Sequence, residues 1–185
     1  MAGKDKLRII KSYDALGGRI YDIRYRDEQE AKYGVVLEKI EISPQDIVLD
    51  DGCGTGLLLR RLNAYGVGLD FSSSLLSMAG VRIRGKFKAH LIQADADCLP
   101  FRNATFHRIF AVTLMQDMPN PDKTLREMQR VGRRRSQFVV TALKKAFTRD
   151  KFKKVLENVG FTFVYPIFDG DSKDYFAFLE PKCVE

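Results

Sequence analysis

Apolar residues along this chain fall in two alternating patterns. Short runs with few charges are separated by longer stretches in which apolar positions recur every three or four residues. Asp46-Ile-Val-Leu-Asp50 reads as a short buried strand stopped by glycines, and Leu57 to Leu62 as the opening of a helix. Val67-Gly-Leu-Asp70 is a second strand, with Ser72 placed to cap a helix through Met78. His90-Leu-Ile-Gln93 is a third strand, and Arg108 to Leu114 a fourth, apolar enough for burial on both faces. Pro121 opens a helix with Leu125, Met128 and Val131 on one face. Gln137 to Leu143 is a fifth strand. Thr148 caps a helix carrying Phe152, Val155, Leu156 and Val159, closed by Gly160. Phe161 to Ile167 and Tyr175 to Leu179 read as two strands around an Asp-Gly-Asp turn. Strands alternating with helices predict a mostly parallel sheet covered on both faces, and the final hairpin predicts an antiparallel edge.

The first 42 residues break this rhythm. They carry Tyr13, Tyr21, Tyr25 and Tyr33 among mixed charges, with Val36, Leu37 and Ile40 as a helix face leading into the first strand. They read as a helical cover or lid (1–42) over an α/β core (45–185), the whole (1–185) forming one domain. The 185 residues and 45% apolar content suit a single core of that size. The longest uncharged stretches, Phe71 to Val81 and Asn158 to Phe168, fall short of the roughly 17–25 residues of a membrane span. The first residues lack an apolar signal core. Cys53, Cys98 and Cys183 are too few and too scattered for a disulfide framework or a zinc site, which fits a reducing cytoplasm. The formal net charge is +7, but Asp122 to Lys154 alone holds 12 basic and 3 acidic residues, a local excess of +9.

The chemistry lies in Val48-Leu-Asp-Asp-Gly-Cys-Gly-Thr-Gly-Leu57. A strand runs into Gly52, Gly54 and Gly56 and a helix follows, which lets a ligand approach the backbone and offers it free N–H groups. The dinucleotide fingerprint needs a third glycine where Leu57 stands, and a phosphate-binding loop needs a Gly-Lys-Ser/Thr ending that is absent. The segment instead resembles the LDxGCGTG signature of class I S-adenosylmethionine-dependent methyltransferases. Further matches follow in order: Asp70 in Gly68-Leu-Asp-Phe-Ser72, Asp95-Ala96 after the third strand, Leu99-Pro-Phe101 leading to Phe106, and Arg126-Glu127 with Arg130-Val131. The resemblance covers about residues 45–165.

It implies a Rossmann-like seven-stranded α/β sheet of order 3-2-1-4-5-7-6, with S-adenosyl-L-methionine as cofactor. By that resemblance Asp50 faces the cofactor's ammonium, and Gly52, Cys53, Gly54 and Gly56 form the loop beside its carboxylate. Asp70, followed by Phe71, takes the ribose hydroxyls, and Asp95 with the Ala96 N–H addresses the adenine. Three positions depart from the pattern. Asp51 replaces an apolar residue, so it needs a partner or a raised pKa if it faces the packing, unless it faces the substrate cleft. His107 replaces an aspartate and reads as a strand-start residue. Val131 to Ser136 replaces a Lys-Pro-Gly-Gly turn.

In this fold the loop after the fourth strand lies beside the methyl group. Gln116 and Asp117 are the polar candidates there to orient an acceptor or take its proton. RNA (tRNA or rRNA) is the favoured acceptor, on the strength of the +9 segment and of a second string, Arg82, Arg84, Lys86 and Lys88, that would align four cations if extended. The alternatives are a small-molecule or protein substrate, or a cofactor-binding subunit needing an activator. An apolar third strand at the sheet edge permits strand addition by a small activator protein. No metal and no membrane partner are expected.

Overall fold

The computed structural model describes residues 2–86 and 88–182, with side chains from residue 6 onward; Cys183 and Phe87 lie outside the described residues. Two helices, α1 (Ala2–Leu16) and α2 (Gly18–Lys39), precede the sheet. The chain then alternates through β1 (Ile47–Asp51), α3 (Leu57–Arg61), β2 (Tyr65–Asp70), α4 (Ser73–Arg82), β3 (Ala89–Gln93), β4 (Phe106–Ala111), α5 (Pro121–Val131), β5 (Gly132–Leu143), α6 (Arg149–Val159), β6 (Phe161–Phe163) and β7 (Asp174–Pro181). The sheet order is β3-β2-β1-β4-β5-β7-β6, as the resemblance implied. β1 through β5 pair in parallel and β7 runs antiparallel to both β5 and β6.

Alternate residues of β1 feed opposite cores, as the two-residue period of a strand requires. Leu49 joins Leu69, Ile109, Phe138 and the apolar faces of α5 and α6, while Val48 joins Phe110, Val139 and Val36 of α2. The predicted caps form: the Ser72 hydroxyl accepts the Leu75 N–H at 3.3 Å and Thr148 accepts that of Lys151 at 3.2 Å. Gly160 ends α6 with φ 92°.

Four boundaries move. β4 stops at Ala111, because Thr113 turns into the left-handed region at φ 59°. β5 extends back through Arg133, Arg134 and Arg135, so the expected turn there is strand, pairing Gly132 with Phe106 across a register shift. The predicted strand to Ile167 keeps only Phe161–Phe163. The string from Arg82 to Lys88 is not extended: Arg82 ends α4, and Lys86 bonds the Leu59 and Leu62 carbonyls at the end of α3. It forms no four-cation edge.

The N-terminal helices dock on α4. Asp14 accepts the Ser72 hydroxyl at 2.6 Å and Asp22 pairs with Arg82. Gly18 sits against Met78, where an added Cβ would lie 2.7 Å from the methionine Cβ. Among the described residues no helix is long and apolar enough to cross a membrane, and no cluster of metal-ligating side chains forms.

Candidate functional site

The glycine loop leaves β1 at the carboxyl ends of the parallel strands, where α/β sheets of this kind hold ligands. Gly52, Gly54 and Gly56 all take positive φ, at 81°, 52° and 75°, which only glycine adopts without strain. Cys53 contributes backbone alone. Its side chain is buried and turned toward β2, where a Cβ on Gly68 would meet the sulfur at 2.9 Å, and burial pushes its thiol pKa up.

Asp70 ends β2 almost fully buried. One carboxylate oxygen accepts the Gly54 N–H at 2.8 Å and the other the Ser72 N–H at 2.9 Å, so the acidic strand end and the glycine loop are locked together. Burial raises its pKa, and the backbone N–H groups offset this in part. Asp50 is 1% exposed and its Oδ2 has no hydrogen-bond partner. Burial, reinforced by the Asp70 charge, pushes its pKa up to about 8. An unpartnered buried carboxylate beside a glycine cradle fits the ammonium of the cofactor that the resemblance implies. Asp51, one residue on, is fully buried with neither oxygen partnered. It faces the packing and not a cleft, and burial followed by the charge of Asp50 drives its pKa well above the carboxylate range.

Beyond β3, Asp95 accepts the Asp97 N–H at 2.8 Å, and Lys6 of α1 bridges Asp95 and Asp97. Burial opposes ionisation of Asp95, but these contacts hold its pKa below the usual range. Ala96 is buried in the core. His107 has a structural partner: its Nδ1 accepts the Ile47 N–H at 2.9 Å, tying β4 to β1.

The 3-10 turn Met115–Asp117 carries Gln116 and Asp117 toward the N-terminal helices. The Tyr13 hydroxyl donates to Asp117 Oδ2 at 2.9 Å, and Gln116 Nε2 donates to the same oxygen at 3.1 Å. Burial raises the Asp117 pKa against the pull of those two donors. Two cavities meet here. One, about 40 Å³, is lined by Gly52, Gly54, Asp70, Phe71 and Leu114. The other, about 350 Å³, is lined by Tyr25, Gln29, Gln116 and Lys145. They share a wall of Tyr13, Tyr21, Thr113 and Asp117. Ligand cavities run roughly 300–1,000 Å³, so the first is narrow for a cofactor. The rings of Tyr13 and Tyr21 cover the glycine loop and must move to admit one.

A larger cavity of about 510 Å³, between α2 and residues 168–173, is lined by none of the residues expected from sequence. The sequence reading also passed over Lys32, Thr113, Thr141 and Asp174. These four join in a buried polar network behind the 115–117 turn. An interior lysine spaced four from Glu28 and a lone acid after a turn were the only traces of it.

A family model described as a methyltransferase domain matches residues 48–135. An uncharacterized protein of Methanocaldococcus jannaschii is 32% identical over 164 residues, covering 82% of this chain and 61% of that protein. The malonyl-[acyl-carrier protein] O-methyltransferase of Marinomonas sp. is 30% identical over 131 residues, 68% of this chain and 48% of that protein. The chain thus spans about half to three fifths of the length of these curated relatives. Among solved structures, the complex between the Haloferax volcanii Trm112 methyltransferase activator and a methyltransferase aligns with TM-score 0.79 at 15% identity. That match covers 92% of this chain and 98% of the other.

Proposed function

We propose, from the premise that this chain belongs to the class I S-adenosylmethionine-dependent methyltransferases, that it methylates a compact acceptor held in the cavity between Tyr25, Gln29 and the 115–117 turn. The observation that carries this reading is the shared wall of Tyr13, Tyr21, Thr113 and Asp117 between that cavity and the glycine loop. Those four residues stand between the place a cofactor would take at the glycine loop and the acceptor cavity.

Asp50, Asp70 and Asp95 are the residues to hold the cofactor's ammonium, ribose and adenine. The bound cofactor supplies an electrophilic methyl on a positively charged sulfur. In-line displacement needs the two reactants aligned and water kept out, and Tyr13 and Tyr21, which line both cavities, are the side chains placed to close over them. Tyr13, Tyr21 and Tyr25 stand near one another, with ring centroids 6.1 and 5.1 Å apart and planes tilted by 55°, and give the cavity an aromatic wall. The acceptor's O–H or N–H proton passes to Asp117, whose raised pKa makes it a better base than an ordinary carboxylate. Asp117→Asn is expected to lower turnover about 100-fold while cofactor affinity by calorimetry changes less than twofold. Equal loss of both would remove Asp117 from the proton path.

Several cations expected to favour RNA are engaged within the chain. Arg82 pairs with Asp22, Lys144 and Arg149 pair with Asp169, and the arginine triplet starts β5 at the end of the strand opposite the glycine loop. This supports a small acceptor. A second reading, one base of an RNA entering the same cavity, is favoured by Lys145 in its lining. Transfer of a tritiated methyl group to total RNA, protein and metabolite fractions separates the two. The small-acceptor reading expects label in the metabolite fraction at any salt. Label in RNA that falls steeply with salt would replace it by the second reading.

A partner belongs to the proposal. Among the described residues β3 pairs only with β2, and its other edge is open to strand addition. The Haloferax volcanii neighbour, solved with the Trm112 activator, supports a partner of that kind for this fold. Co-elution with such an activator is expected to raise cofactor affinity. A mixture that elutes as two separate proteins would argue against it.

A further inference from the structure

Lys32 lies in the middle of α2 with its side chain 1% exposed. Its ammonium is 2.8 Å from Asp174 Oδ1 and 2.9 Å from Glu28 Oε1, and it donates to the Thr113 hydroxyl at 3.0 Å. Asp174, fully buried at the start of β7, accepts hydroxyl protons on Oδ2 from Thr113 at 2.8 Å and Thr141 at 2.7 Å. The Thr141 hydroxyl accepts the Thr113 N–H at 2.8 Å, and the Thr113 carbonyl accepts from Gln116 Nε2. Every polar group of Thr113 is therefore engaged. Glu28 is held in turn by Lys173 at 2.6 Å.

The anchored residue is unusual. Thr113 is β-branched and sits at φ 59°, a backbone state that such residues avoid. It persists only where surroundings over-determine it. Here those surroundings come from α2, β5 and β7, and the turn they enforce presents Gln116 and Asp117 to the acceptor cavity.

We propose that Lys32 is a positioning residue: through Asp174 and Thr141 it clamps Thr113 in the left-handed turn that aims Gln116 and Asp117 at the acceptor. The inference rests on the acceptor cavity named above. It also ties the helical cover to the acceptor loop, because α2 supplies both Lys32 and the cavity-lining Gln29 and Glu28.

The variants are Lys32→Met and the charge-free pair Lys32→Met/Asp174→Asn. The single change strands a buried carboxylate and is expected to destabilise strongly; the pair removes both charges and keeps the chain folded. In the pair, amide exchange over residues 112–118 is expected to accelerate at least tenfold, while cofactor affinity by calorimetry stays within twofold. With the acceptor fraction found by methyl transfer, kcat is expected to fall about 30-fold or more with KM changed less than threefold. Wild-type exchange and turnover in the pair would overturn the proposal, since the charges would then serve stability alone. A parallel fall in cofactor affinity would overturn it too, by placing the action at the glycine loop. The exchange measurement needs no acceptor. A wild-type chain that binds cofactor but methylates no fraction would sink the acceptor reading, and exchange would still decide the clamp.

Discussion

Replacing Asp70 by alanine is expected to weaken S-adenosylmethionine binding about 100-fold, read by calorimetry. The carboxylate ends β2 and holds the N–H groups of Gly54 and Ser72 at 2.8 and 2.9 Å. In the proposed site its remaining acceptor capacity takes the ribose hydroxyls. Hydrogen bonds to a charged group are worth about 1.5–3 kcal/mol each. Losing two approaches about 3 kcal/mol, and each 1.4 kcal/mol is a factor of ten. Asp70→Asn keeps one acceptor oxygen and is expected to cost about tenfold. The cofactor-free melting temperature of each variant separates a slackened glycine loop from a lost ribose contact. Unchanged affinity in Asp70→Ala would mean that the ribose is held elsewhere.

The meeting of the glycine loop with Asp70, the cofactor half of the proposed site, was legible because its residues are local in sequence. A strand, three glycines and a helix start follow one another within ten residues, and Asp70 ends the next strand. Each is fixed by a constraint visible in the chain, such as a φ only glycine takes or a carboxylate at the end of an apolar run. The acceptor half was legible only as Gln116 and Asp117. Its support joins Lys32 to Asp174, 142 positions apart, and no periodicity reports a pairing across that distance. In a sequence, Lys32 looks like one more charge on an exposed helix face; only the docking of α2 on the sheet buries it. The arginine triplet misled for the opposite reason. A run of three consecutive exposed arginines has no apolar alternation; it lies in the register shift of β5, between the pairs Phe106–Gly132 and Arg108–Gln137, and leaves no trace in the pattern. The cations from Arg82 to Lys88 failed as a patch because α4 runs on to Arg82, which puts that side chain beside Asp22 and that of Lys86 over the end of α3.

The departure at Asp51 leads to the second large effect. Successive residues of β1 point to opposite faces, so Asp50 and Asp51 diverge. Asp51 faces the side of the sheet where Leu49, Leu69 and Ala111 pack, with no partner for either oxygen. An ionised carboxylate there is very costly, so burial favours the protonated form in the folded chain and pushes its pKa well above the carboxylate range. In the unfolded chain it ionises near its ordinary value of about 3.9. Above about pH 4 the folded state therefore binds one more proton than the unfolded state, and stability falls as pH rises, by about 1.4 kcal/mol per unit, until the folded pKa is reached. Asp51→Val removes this burden and restores the apolar character usual at the position. At pH 7.5 it is expected to raise the melting temperature, by about 2–4 °C for each kcal/mol of the burden removed in a chain of this size. At pH 5 the gain should shrink to a small fraction of that. A gain independent of pH would assign the effect to packing, and no gain at all would mean that the buried acid has found a partner. Cofactor affinity measured on the same variant gives the reason such a residue is kept. If the stabilised protein binds S-adenosylmethionine more weakly, the carboxyl next to Asp50 is held at a cost in stability for the sake of the site.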